Sequence, residues 1–379
     1  MMKIASVVGA RPNFIKLAPI HKAISTISNH IIIHTGQHYD YKLSEIFFKE
    51  FDLPKPNFHL DVGSGTHGFQ IGEMIKRLEK IFLDYGTDFD LVLVYGDTNS
   101  TFAGALAAKG LGINVAHIES GLRSFDRRMP EEINRILTDQ ISDYLFAPTQ
   151  AAINNLEREH VFGKVIYTGD IAVEIVKDAI LLSSLKSSVL NDLALKPKSY
   201  ILFTMHRAEN TNSEVSLTSV IRAFEILSEQ EMKQKDEEMI IIVFPIHPRT
   251  AHLLKNKNLY GRLKRCKNVK LIEPVGYIDF IMLIQNATKV ITDSGGVQKE
   301  AYLLAIPCIT IRKSTEWIET VEEGWNILTD TDTNKIVKAA IESKPKTPIA
   351  DQIRPIFGEG RTSVIIKNTI ESLCVKSQT

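Results

Sequence analysis

The chain has 379 residues, is 44% hydrophobic, and balances 45 basic residues against 45 acidic ones. That length suits two domains, each able to bury its own core. A neutral total argues against a nucleic-acid or membrane-surface protein, since both usually carry a basic excess. The three cysteines, Cys266, Cys308 and Cys374, show no metal-like spacing. Their odd number, with Cys308 in an apolar run, predicts inert thiols rather than disulfides and a reducing, cytoplasmic setting. The opening Met1-Met2-Lys3-Ile4 leads into a short strand, without the longer apolar core and cleavage site of a signal peptide. No run approaches the roughly 20 apolar residues needed to span a bilayer, so no membrane association is expected.

Short apolar runs alternate with longer amphipathic ones along the whole chain. Strands are expected at 4–8, 30–34, 91–95, 114–118 and 144–147, then at 200–204, 239–244, 269–272, 290–292 and 308–311. Their residues are apolar on both faces, the pattern of parallel strands covered by helices. Strand–helix alternation over this length predicts a doubly wound α/β architecture. A polar stretch at 183–199 marks the expected boundary. The expected layout is a Rossmann-like domain over 1–185, a second over 186–358, and a C-terminal helix over 359–379 packing back on the first. Two such domains with an active site in the cleft between them describe a GT-B-like arrangement.

The first strand ends in Gly9-Ala10-Arg11-Pro12, and a helix bearing Lys16 follows. A glycine turn at a helix N-terminus offers backbone N–H groups to an anion, and Arg11 adds a charge-assisted donor. A plain strand–helix turn is the competing explanation, and the G-x-G-x-x-G dinucleotide spacing is missing. The run Tyr95-Gly96-Asp97-Thr98 ends another strand, and Asp97 either caps the next helix or serves the site. The densest chemistry lies in His117-Ile118-Glu119-Ser120-Gly121-Leu122-Arg123 and Pro130-Glu131-Glu132-Ile133-Asn134-Arg135. There a carboxylate, a glycine turn and arginines gather at the carboxyl end of a buried strand, where open α/β sheets hold ligands. Glu131 also suits a helix first turn, and Arg123 and Arg135 also suit partners for the acids.

In the second half, Met205-His206-Arg207 follows a strand, a pairing suited to phosphate binding and proton transfer. Ile246-His247-Pro248-Arg249 is similar, with a surface role favoured. The strongest motif is Asp293-Ser294-Gly295-Gly296-Val297-Gln298-Lys299-Glu300. Its glycines let backbone approach a diphosphate at a helix N-terminus, and Glu300 is placed to accept from ribose hydroxyls. No Walker-type Gly-Lys-Ser/Thr, H-E-x-x-H, cysteine cluster or G-x-S-x-G occurs. The residues alone describe a two-domain α/β enzyme for a nucleotide-linked anion, with several acids for proton chemistry.

With these motifs in view, the chain resembles the non-hydrolysing UDP-N-acetylglucosamine 2-epimerases. The likeness spans Gly9-x-Arg11-Pro12-x-x-x-Lys16, Gly96-Asp97-Thr98, His117-x-Glu119-x-Gly121-Leu122-Arg123, Pro130-Glu131-Glu132-x-Asn134-Arg135, His206-Arg207-x-Glu209-Asn210 and Asp293-Ser294-Gly295-Gly296-x-Gln298-x-Glu300. The resemblance implies a GT-B fold, a homodimer, a UDP-sugar substrate, and no metal or other cofactor. It implies that UDP is eliminated across C1–C2 to leave a 2-acetamidoglucal, then re-added after reprotonation of C2 on the opposite face. It implies Asp97, Glu119, Glu131 and His206 as the catalytic set. Arg11, Lys16, Arg135, Ser294, Gly295, Gly296 and Glu300 match the nucleotide-sugar contacts, with Phe280 against the uracil.

Three features depart from or qualify the likeness. Many relatives carry Thr-Glu-Arg-Pro-Glu where this chain has Thr315-Glu316-Trp317-Ile318-Glu319. Exchanging guanidinium for indole is similar to relatives acting on modified sugars such as UDP-2,3-diacetamido-glucuronate, and Arg312 or Lys313 then becomes the candidate partner of a sugar carboxylate. Gln37 and His38 match a second UDP-sugar site in substrate-activated enzymes, whereas Tyr39, Asp40 and Ala208 do not. The motifs after Gly96-Asp97 and around His206 follow the non-hydrolysing pattern. A GT-B glycosyltransferase and a non-catalytic nucleotide-sugar sensor are the more distant alternatives.

Overall fold

A computed structural model of the chain describes residues 1–37, 48, 50–85, 88–231, 241–342 and 355–376. For Arg11, Pro12, Gln230, Glu231, Pro355 and residues 374–376 it describes the backbone alone. His38, Tyr39 and Asp40 lie outside the described residues. The described chain forms two compact units, the first comprising the residues through Ile175 together with the C-terminal segment, the second beginning at Val176.

The first unit runs β1 (Met2–Val8), α1 (Arg11–Ile24), β2 (Ser28–His34), β3 (Phe58–His59), α2 (His67–Asp84) and β4 (Leu91–Tyr95). It continues α3 (Asn99–Gly110), β5 (Val115–Ile118), α4 (Pro130–Ile141), β6 (Tyr144–Ala147), α5 (Gln150–Arg158) and β7 (Lys164–Tyr167). The strands pair in the order β3-β2-β1-β4-β5-β6-β7, every pair parallel. Helix α6 (Ala172–Lys186) carries the division between units within it.

The second unit contains α7 (Val189–Asp192), β8 (Tyr200–Thr204), α8 (Ala208–Thr211), α9 (Glu214–Glu231), β9 (Ile241–Pro245), α10 (Pro248–Asn256) and α11 (Tyr260–Arg265). Then come β10 (Val269–Ile272), α12 (Tyr277–Asn286), β11 (Lys289–Thr292), α13 (Gly295–Leu303), β12 (Cys308–Thr310), α14 (Ile318–Glu322), β13 (Asn326–Leu328) and α15 (Thr333–Glu342). Its order is β10-β9-β8-β11-β12-β13, again all parallel. A short 3-10 turn (Pro355–Phe357) and α16 (Thr362–Lys376) close the chain, and α16 packs on α1 in the first unit.

Both sheets therefore reverse direction of growth once, between β1 and β4 and between β8 and β11. Such switch points open a crevice outside the carboxyl ends of the central strands. The central strands form because every residue of β4 and of β8 is buried, and each apolar side chain so removed from water contributes about 1.5–3 kcal/mol. Val7, Ile33 and Val94 meet Met74, Leu78 and Phe82 of α2 in one core. In the other, Phe203 packs edge-on against both Phe224 and Phe244.

The expected strands are present, together with three that the apolar runs do not announce: β3, β7 and β13. All three are sheet edges, short and partly exposed, so they lack the continuous apolar run of a strand covered on both faces. Residues 239–240, at the start of one expected strand, lie outside the described residues. Among the described residues no helix is long and apolar enough to cross a membrane.

Candidate active site

In the first unit the switch point holds four of the expected site residues together. Gly96 follows β4 with φ 66, and a side chain there would collide with the Lys16 ammonium at 2.9 Å. Lys16 forms an ion pair with the Glu119 carboxylate. Glu119 follows β5 with φ 71, a left-handed conformation that costs a non-glycine residue on the order of 1–3 kcal/mol and clusters at functional sites. Its amide and that of Ser120 both donate to the Phe146 carbonyl at 3.1 Å. Asp97 does not cap α3. That role falls to Thr98, whose hydroxyl accepts from the Thr101 amide, leaving the Asp97 carboxylate to pair with Arg135 Nη2 at 2.5 Å.

Helix α4 positions Asp97 from the other side, and its buried face is polar. Asn134 donates to the Asp97 carbonyl at 2.9 Å, and Arg135 bridges Asp97 to Glu132 at 2.7 Å. Glu132, fully committed, also accepts from Ser124 and Phe125 amides at 2.8 and 2.9 Å. Pro130 starts α4 with its ring where a donor is not needed. Glu131 sits one residue further on, half-buried, joined to the cluster by no hydrogen bond or ion pair among the described residues. Arg123 serves neither Glu119 nor Glu131. It pairs with Asp139 and Glu159 at 2.7 and 2.6 Å, and despite burial these carboxylates raise its affinity for its proton.

The Gly9 turn is organised around Asn13. The amides of Gly9 and Ala10 donate to Asn13 Oδ1 at 3.4 and 3.2 Å, so they are already occupied. Glycine is required there by packing, since a Cβ would fall 2.0 Å from Ser100 Oγ and 2.1 Å from Thr35 Oγ1. Asn13 also donates to the Tyr95 carbonyl at 2.9 Å, tying the turn after β1 to the turn after β4. The Arg11 side chain lies outside the described residues.

In the second unit, the keystone of the switch point is Asp293. Its buried carboxylate accepts the amides of His206 at 3.1 Å and Arg207 at 3.0 Å and the Asn210 side chain at 3.1 Å, tying the β8 turn to the β11 turn. The His206 side chain is 54% exposed, with Nδ1 3.5 Å from Asp293. Ser294, Gly295 and Gly296 then open α13. Side-chain atoms stay at least 3.5 Å from a Cβ built on Gly295 and 3.9 Å from one on Gly296, so ligand oxygens can approach this N-terminus. Glu300 hydrogen-bonds to Tyr277 of α12. Burial pushes the Glu300 carboxyl up to about 7, against the opposing effects of Tyr277 and Lys299. Phe280 lies half-buried one turn along α12 from Tyr277.

Trp317 is 4% exposed, with the Lys299 ammonium 4.1 Å from its ring centre. The Lys299 ammonium thus lies over the indole, whose Nε1 would be 3.5 Å from a Cβ built on Gly295. Arg312 is buried and grips Glu316 through two bonds of 2.8 and 3.1 Å, while the Lys313 side chain is solvent-facing. His247 caps α10 at the surface, its ring accepting from the Arg249 amide at 3.2 Å. Gln37 is also occupied, accepting from the Ser100 hydroxyl at 2.8 Å. Sequence patterns singled out neither Asn13 nor Asp293 as anchors, although each lies within a few residues of a glycine turn, the one available signal.

Both clusters set cations or helix N-termini beside ionisable acids. The profile of the UDP-N-acetylglucosamine 2-epimerase family matches residues 22–371. A Methanococcus maripaludis protein named as a UDP-N-acetylglucosamine 2-epimerase homolog is 49% identical over 98% of this chain and 100% of its own. The Pseudomonas aeruginosa UDP-2,3-diacetamido-2,3-dideoxy-D-glucuronate 2-epimerase is 44% identical over 98% of this chain and 100% of its own. The crystal structure of the Methanocaldococcus jannaschii UDP-GlcNAc 2-epimerase in complex with UDP-GlcNAc and UDP superposes with a TM-score of 0.88 at 43% identity, covering 98% of this chain and 100% of that one. The chain belongs to the UDP-N-acetylglucosamine 2-epimerase family, a family of isomerases.

Proposed function

We propose that the protein interconverts UDP-N-acetylglucosamine and UDP-N-acetylmannosamine, without hydrolysis, by elimination and re-addition of UDP at C1–C2. The observation that carries this reading is the pair of cation-matched carboxylates, Lys16–Glu119 and Arg135–Asp97, on adjacent strand ends. Removing the C2 proton needs a positioned base, and returning one to the opposite face needs an acid; departing diphosphate needs cations and helix N-termini. Asp97, Glu119, Glu131 and His206 form the catalytic set. Arg11, Lys16, Arg135, Phe280, Ser294, Gly295, Gly296 and Glu300 hold the nucleotide sugar, with no metal or other cofactor taking part.

UDP-GlcNAc is favoured over a UDP-diacetamido-uronate by the state of the second unit. A sugar carboxylate wants a cation of its own, yet Arg312 is matched by Glu316 and Lys313 faces solvent. Buried Trp317 offers no surface for reading a modified sugar. Free thiols at Cys266 and Cys308 suit a cytoplasmic enzyme, whose product would feed surface-polysaccharide precursors. A homodimer is supported by exposed apolar residues on three neighbouring helices: Phe69 on α2, Leu106 on α3, and Ile133 and Leu137 on α4. Incubation in D2O tests the chemistry. Turnover of UDP-GlcNAc must place deuterium at C2 and yield UDP-ManNAc; retention of C2–H overturns the reading in favour of a transferase or sensor, and preferential turnover of the uronate overturns the substrate choice.

A further inference from the structure

The polar face of α4 carries more than the contacts to Asp97. His117, the residue before the last of β5, is fully buried. Its Nδ1 lies 2.6 Å from Asp139 Oδ1 and its Nε2 lies 2.7 Å from the Gly96 carbonyl oxygen. A carbonyl only accepts, so Nε2 carries a hydrogen and donates it. The other oxygen of Asp139 accepts the Gly121 amide at 3.0 Å and the Arg123 guanidinium at 2.7 Å. Although burial favours its neutral form, His117 and Arg123 hold the Asp139 carboxyl below the usual carboxylate range.

One buried carboxylate thus reaches both active-site turns: directly to Gly121, two residues after Glu119, and through His117 to Gly96, which precedes Asp97. Gly96, Glu119 and Gly121 have φ values of 66, 71 and 80. The two glycines take up this conformation freely, whereas Glu119 persists in it only where its surroundings over-determine it. Packing accounts for part of this, because a Cβ on Gly121 would meet the Ala152 carbonyl at 2.4 Å. Other anchors are polar: the Phe146 carbonyl accepts the Glu119 and Ser120 amides, Asn155 donates to the Gly121 carbonyl at 3.0 Å, and among these Asp139 alone is linked to both turns through the contacts above.

We propose that His117 and Asp139 are positioning residues, fixing the aim and separation of the Asp97 and Glu119 carboxylates without touching the substrate. This role rests on the epimerase reading above. The test uses the full chain and two variants, His117→Gln, whose amide can follow Nε2 toward Gly96, and His117→Asn, whose amide can follow Nδ1 toward Asp139. Since misplacing reacting groups by about 1 Å costs on the order of 10²-fold, His117→Asn is expected to lower kcat about 10²-fold with KM changed less than about threefold, the signature of lost transition-state positioning. His117→Gln is expected to recover at least about tenfold of that loss. Unchanged kcat in both variants, a change confined to KM, or equal losses in both with globally reduced folding stability overturns the proposal. Amide hydrogen exchange supplies a readout independent of turnover. His117→Asn is expected to lose protection at peptides covering the Gly96 turn while β1 and β6 stay protected, and unaltered protection at that turn overturns the proposal. Failure of the wild-type protein to exchange C2–H would sink the epimerase reading instead, leaving the exchange measurement to decide the positioning role.

Discussion

The two units share the order of their first six strands, to which the first unit adds a seventh, and place their polar residues at the same topological point, yet they equip it differently. In the first, charges face charges: Lys16 meets Glu119, Arg135 meets Asp97 and Glu132, and Arg123 meets Asp139. In the second, backbone amides gather around Asp293 and open glycines begin a helix, while Glu300 leans toward its neutral form. A doubly wound sheet specifies where a site lies and leaves its chemistry to the turns. Under the proposed reading, the first unit supplies the proton-moving acids together with Arg11, Lys16 and Arg135, and the second supplies the helix N-terminus that grips the nucleotide together with His206.

The sharpest way to break that division is Glu119→Gln or Asp97→Asn. Each is expected to reduce C2 deuterium incorporation by about 10³-fold, within the range for losing an acid–base group, while UDP binding by calorimetry stays within a few fold. Equal losses of binding and turnover would erase the contrast between units. Next in size, Asp293→Ala strands the amides of His206 and Arg207 and the Asn210 side chain. At 1–3 kcal/mol for each buried unsatisfied donor, the expected loss is about 3 kcal/mol in urea unfolding, accompanied by weakened UDP binding.

A smaller effect concerns pH. Glu300 sits at about 7 in the free chain against an ordinary 4.5. Its raised value favours the protonated folded form, so its contribution to stability is present below pH 4.5 and is lost as pH rises through 7. Accepting ribose hydroxyls favours the ionised form, so UDP-GlcNAc affinity should strengthen as pH rises toward 7 and level off above it. Titration calorimetry should show this slope in wild type and a flat profile in Glu300→Gln; a slope kept by the variant removes Glu300 from ribose binding. Smallest of all, Arg128→Ala breaks an exposed pair with Asp126 and should leave thermal unfolding unchanged within error.

Much of this was legible in the residues, and the exceptions have physical causes. Continuous apolar runs announced the central strands, because covering helices bury both faces, while edge strands such as β7 carry no such run. Asp97 was ambiguous as a cap until Thr98 was seen in that position. The Gly9 turn was open to two explanations because glycine serves close packing as readily as anion binding; the packing requirement at Gly9 and the bonds to Asn13 become visible only in the structure. Helix α4 is the hardest to read: it buries Asn134, Arg135 and Asp139 while exposing Ile133 and Leu137. Its hydrophobic periodicity marks a helix correctly but points the wrong face inward.

The return of the C-terminal helix to the first unit has a consequence for synthesis. The Asp170 amide donates to the Phe357 carbonyl at 2.8 Å, Thr362 donates to the Thr168 carbonyl at 3.0 Å, and the Ser363 amide donates to Glu174 at 2.8 Å. Phe357, Thr362 and Ser363 are made after the second unit. The second unit, whose described elements run from β8 to α15, can therefore complete its sheet first, while the earlier-made unit waits with α1 uncovered for its closing helix. For this chain the usual N-terminal-first order of domain folding is interrupted, and the half carrying Asp97 and Glu119 is finished only after the second unit has been made.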